Sequence, residues 1–135
     1  MDKGKIYLAA RYSRRDEMKA LATHLRLAGF FITSRWLYED KPLNTHLGDD
    51  SPAFYRETAL IDLDDVDKSD ALVFFAEDPK VGTPRGGRHV EFGYALAKGK
   101  RCIVIGGEEN IFHYLPNVMH FPTVSAFLEH DEVPA

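Results

Sequence analysis

The chain has 135 residues, 44% of them hydrophobic and 28% charged, the composition of one ordinary globular domain with a single core. Its net charge of -4 and pI of about 5.8 argue against a protein that coats a nucleic-acid polymer, which needs a broad basic face. One cysteine, Cys102, excludes an internal disulfide, and no apolar run approaches the ~20 residues that span a bilayer. The first five residues lack the apolar core of a signal peptide, so the expectation is a cytoplasmic protein with no membrane contact.

The pattern along the chain alternates between strand and helix. Residues 5–10 are a short apolar run and read as a buried strand. Ser13 opens a Ser-x-x-Asp start signal, and Met18, Leu21, Ala22, Leu25 and Ala28 then recur at helical spacing until Gly29. Residues 30–37 are rich in β-branched and aromatic side chains and predict a second strand. Residues 38–50 are polar and long for a compact-domain loop, and with Trp36 and Tyr38 they are a candidate base pocket. For Trp36 the alternative is a place in the core.

Ser51-Pro52 is a helix entry, a capping serine before a proline at the first helical position, and the helix should run to about Lys68. Residues 71–76 form the third strand. A loop over 77–86 leads into Gly86-Gly87-Arg88-His89-Val90-Glu91, the start of a helix that Gly99 ends. Residues 101–105 are the fourth strand, with Cys102 as a core thiol. A helical turn at 111–115, a fifth strand at 117–121 and a last helix at 123–130 complete the chain.

This alternation predicts a single α/β domain over residues 1–135. It is doubly wound, with a mostly parallel five-stranded sheet, helices on both faces and strand order 2-1-3-4-5, flavodoxin- or Rossmann-like. Ligands on such sheets sit beyond the carboxyl ends of the strands, near the switch point. Two loops there carry chemistry. After strand one, Arg11, Ser13 and Arg14 enter a helix and suit an anion, or else are solvated charges and a cap. After strand three, Arg85, Gly87 and Arg88 combine positive charge with close backbone approach.

Neither loop is a P-loop or a dinucleotide fingerprint. The five aspartates of Asp62-Leu-Asp-Asp-Val-Asp-Lys-Ser-Asp70 lack the layout of a calcium loop, and no His/Cys cluster suggests zinc, so neither a metal nor a cofactor is expected. Glu91 has two readings. One is a helix-dipole partner in the first turn; the other is a carboxylate held ionised by that dipole and nearby arginines, ready to act as a nucleophile.

Three segments together resemble the nucleoside 2-deoxyribosyltransferase family, including its relatives that hydrolyse nucleoside 5′-monophosphates. They are Ile6-Tyr7-Leu8-Ala9-Ala10, Asp62-Leu-Asp-Asp-Val-Asp-Lys-Ser-Asp-Ala-Leu-Val73 and Gly87-Arg-His-Val-Glu-Phe-Gly-Tyr-Ala-Leu96. The resemblance spans roughly residues 5–106. It implies that Glu91 attacks the anomeric carbon, that Tyr7 orients it, and that Asp62 helps protonate the leaving base. It further implies a small-molecule nucleoside or nucleotide substrate and a homodimer or larger assembly with shared sites.

The serine and arginines after strand one lean toward the nucleotide hydrolases, with Arg85 near the phosphate. Asn117-Val-Met119 is similar to a transferase segment that reaches a neighbouring subunit's site, and makes Asn117 a substrate-binding candidate. The expected activity is therefore hydrolysis of a (2-deoxy)nucleoside 5′-monophosphate. The alternatives are base exchange by a deoxyribosyltransferase and a nucleotide-binding module without turnover.

Overall fold

A computed structural model describes residues 3–38, 51–78 and 86–129. Five strands form its sheet: β1 (Lys5–Ala9), β2 (Phe31–Ile32), β3 (Ala71–Phe75), β4 (Arg101–Ile105) and β5 (Val118–Phe121). Their order is β2-β1-β3-β4-β5 and every pairing is parallel, as the alternation of elements predicts. Helices α1 (Arg15–Leu27), α2 (Pro52–Asp67), α3 (Gly87–Ala97) and α4 (Val124–Leu128) make up the rest of the regular structure. No helix among the described residues is long and apolar enough to cross a membrane.

Alternation along the strands decides what each face carries. Tyr7 pairs in register with Leu72, and Ala9 with Phe74, so these four share a face. That face meets α3: Phe74 packs edge-on against Phe92 at 5.5 Å, and His113 lies 4.6 Å from the same ring. Phe75 points the other way, where Arg14 at the start of α1 lies over its ring at 5.4 Å. All five residues of β3 are buried, which fits a central strand covered on both faces. Each fully buried Phe contributes roughly 1.5–3 kcal/mol.

The helix starts and stops follow local chemistry. Ser51 Oγ accepts the Phe54 N–H at 3.1 Å and Pro52 takes the first helical position, so the α2 entry is as expected. Gly86 precedes α3 with φ +89, and Gly29 and Gly99 follow their helices with φ +107 and +73, a left-handed backbone that favours glycine.

Three local expectations need correction. Ser13 does not cap α1: it sits inside a 3₁₀ turn over Tyr12–Arg14, and no side chain caps α1. The second strand is not residues 30–37 but two residues long. Past Ile32, the side chains of the next turn replace the ladder. Ser34 Oγ accepts the Leu8 N–H at 2.6 Å, and the Trp36 indole N–H donates to the Leu8 carbonyl at 2.8 Å. Trp36 is thereby a core residue, 8% exposed. Glu91 lies in the second turn of α3, not the first.

Candidate active site

Tyr7 lies in the middle of β1 and is fully buried. Its hydroxyl donates to Glu91 Oε2 at 2.6 Å, across a sequence gap of 84 residues. The pairing exists because β1 turns Tyr7 toward α3 and the second turn of α3 turns Glu91 toward β1. Asp62 and Asp65 stand on α2, one helical turn apart, and both carboxylates act electrostatically on the pair. Tyr7, Asp62 and Glu91, drawn from three segments of the chain, therefore meet in one place.

The electrostatics there differ from the expected arginine-held carboxylate. Burial pushes Glu91 from the ordinary 4.5 up to about 8; the Tyr7 hydrogen bond opposes this, and the charges of Asp62 and Asp65 add to it. Burial and then the Glu91 charge hold Tyr7 well above 10, so it stays a protonated donor. Glu91 keeps partial access to solvent, which leaves a way in for a substrate. A carboxyl whose charge is opposed by burial, with one donor locked onto it, is an arrangement for acid–base or nucleophilic chemistry.

The arginines expected around a phosphate are largely engaged. Arg14 donates through Nε and Nη2 to Glu17 at 2.9 and 2.7 Å, and through Nη1 to Glu77 at 2.8 Å. Arg11 Nη1 lies 4.0 Å from Glu77 Oε1. Ser13 is exposed. Arg88, expected to face a ligand, is a correction: it is 4% exposed, lies over Phe74 at 4.7 Å and is bidentate to Glu109. A glycine turn aims its fork inward, and Glu109 in the β4–β5 loop fills it. Gly87 is exposed, and a Cβ there would meet nothing within 4 Å among the described residues. Arg85 and residues 39–50 lie outside the described residues.

Asn117 is exposed one residue before β5, at the edge of the sheet opposite the carboxyl ends of the strands. It does not join Tyr7 and Glu91 of the same chain. His89 leans on Phe74 at 5.1 Å, and burial lowers its pKa, which suits a neutral packing role. Cys102 is buried in β4 and burial pushes its thiol up to about 12. Among the described residues no group of three or more His, Cys, Asp or Glu could hold a metal ion.

Solved structures bear on this geometry. The chain aligns with a CMP N-glycosidase, BcmB, from Clostridium botulinum at a TM-score of 0.60 and 22% identity, covering 93% of this chain and 95% of that one. It aligns with a 2-deoxyribosyltransferase from Bacillus psychrosaccharolyticus at 0.69 and 18%, covering 93% and 90%. A 2-deoxyribosyltransferase from Leishmania mexicana aligns at 0.58 and 15%, covering 94% and 96%. The fold is that of the 2-deoxyribosyltransferases. No family model matches the sequence, and no curated protein matches it.

Three residues were missed in the sequence. Asp65 takes the Arg35 backbone N–H at 2.9 Å and its Nε at 2.7 Å, tying the turn after β2 to α2. Glu109 joins the β3 and β4 loops to α3, accepting the Glu77 N–H at 2.8 Å as well as Arg88. Glu77 faces two arginines. Asp65 was hidden among five aspartates, and nothing in spacing singles out Glu77 or Glu109.

Proposed function

We propose that this protein cleaves the N-glycosidic bond of a nucleoside or nucleoside 5′-monophosphate, with Glu91 as the covalent nucleophile. The observation that carries the reading is the 2.6 Å hydrogen bond from Tyr7 to Glu91 beside Asp62. Tyr7 holds Oε2, and Oε1 attacks the anomeric carbon. The C–N bond breaks, its electron pair leaves with the base, and the base takes a proton from Asp62 or solvent. The product is a glycosyl ester of Glu91, following the logic of retaining glycosidases. Water then attacks the same carbon, gives its proton to Asp62 or solvent, breaks the C–O bond to Glu91, releases the sugar and restores the carboxylate.

Hydrolysis is the favoured outcome, supported by the Arg11-Tyr12-Ser13-Arg14 turn, in which the chain departs from the transferase pattern. Base exchange is the second reading, supported by the fold shared with two 2-deoxyribosyltransferases. Asn117, remote from its own chain's pair, fits this function as a contribution to a neighbouring subunit in a homodimer or larger assembly. The buried, lone Cys102 suits a reducing cytoplasm.

The test is to incubate the protein with nucleosides and their 5′-monophosphates, with and without a second free base. Chromatography should show free base from at least one substrate, and none with Glu91→Gln. A new nucleoside in the presence of the second base would assign transfer; saturable binding with no free base would assign the binding module.

A further inference from the structure

The arginines of the turn after β1 already face an anion, and the chain supplies it. Glu77 lies two residues past the end of β3, and its side chain is only 11% exposed. One carboxylate oxygen accepts from Arg14 Nη1 at 2.8 Å, and the other faces Arg11 Nη1 at 4.0 Å. Its backbone N–H is fixed by Glu109, which in turn holds Arg88 in α3, three residues before Glu91. Glu77 is thus braced beyond the carboxyl ends of β1 and β3, where a ligand sits on a sheet of this topology.

Glu17 takes the remaining Arg14 nitrogens, so two arginines are balanced by two carboxylates. A carboxylate and a phosphate monoester compete for the same guanidinium fork. A 5′-phosphate entering here would displace Glu77 from Arg14, leave its mostly buried carboxylate with only the longer Arg11 contact, and set its own negative charge against it.

We infer that Glu77 is a specificity-determining residue. It fills the arginine cradle as a resident anion and directs the site to nucleosides with a neutral 5′-hydroxyl over their monophosphates. This rests on the N-glycosidase reading of the site. It reverses the expectation of a phosphate that the arginines alone create.

Two measurements test it together. The first is calorimetric titration of inorganic phosphate into the wild type, Glu77→Gln and Glu77→Gln/Arg14→Met. The second is kcat/KM for each nucleoside of the panel and its monophosphate. The wild type should show no saturable phosphate binding and should prefer the nucleoside. Glu77→Gln should gain phosphate binding, lose it again in the double variant, and move the monophosphate-to-nucleoside ratio up about tenfold or more.

A wild type that binds phosphate or prefers monophosphates overturns the inference, with no variant needed. So does a folded Glu77→Gln with an unchanged ratio and no gain of phosphate binding. If no form releases base from any substrate, the N-glycosidase reading fails, and the phosphate titration still decides the role of Glu77.

Discussion

Glu91 is a carboxyl whose surroundings resist its charge, and this has two measurable consequences. Its pKa in the folded protein, about 8, lies above the ordinary 4.5, so folding takes up a proton between those values. The sign follows: this group's contribution to stability is full below about 4.5 and is lost as pH rises through about 8. Glu91→Gln should therefore stabilise the protein at about pH 9, by roughly 1–3 kcal/mol after discounting for partial solvent access. At about pH 5 the gain should nearly vanish. Thermal melts at the two pH values check this; equal shifts at both would contradict it. Tyr7 pulls the other way, because its hydroxyl donates to the charged form. The acidic limb of kcat/KM should lie near pH 8 in the wild type. In Tyr7→Phe it should move to higher pH by about one unit. A limb that stays in place would separate Tyr7 from the ionisation of Glu91.

Helix α3 carries Glu91 and is anchored at its start by the pair of buried Arg88 and half-buried Glu109. Removing Glu109 leaves the buried Arg88 charge uncompensated, so Glu109→Ala should cost about 3–5 kcal/mol in denaturant titrations. At α2, which carries Asp62, Ser51→Ala should cost about 1 kcal/mol with an unchanged denaturant slope. Elements built on strong local chemistry were legible in the sequence. The Ser51-Pro52 entry, the Gly99 stop and the apolar runs of β3 and β4 all lie where pattern and cap residues put them.

What pattern could not show was tertiary substitution. Residues 30–37 have strand-like composition, yet Ser34 and Trp36 satisfy Leu8 with side chains, so the chain turns away after Ile32. Arg88 reads as a ligand contact until its partner, 21 residues further on, is seen. Tyr7 and Asp62 became candidates through resemblance, because no spacing rule joins positions so far apart.

In the whole molecule, the 2-1-3-4-5 parallel sheet brings the loops after β1 and β3 side by side, the position at which sheets of this topology bind ligands. The same topology sends Asn117 to the opposite edge. If a neighbouring subunit supplies it, Asn117→Ala should lower kcat/KM while leaving the melting temperature within a degree or so of wild type, since an exposed side chain contributes little stability. Mixing Asn117→Ala with Glu91→Gln should then restore part of the activity through hybrid assemblies. No recovery on mixing would contradict a shared site.

Acid-quenched mass spectrometry during turnover reads the covalent role of Glu91. The wild type should carry a mass increase equal to the bound sugar moiety, mapping to the peptide that contains Glu91 and absent from Glu91→Gln. Base release without such an adduct, or undiminished release by Glu91→Gln, would contradict it.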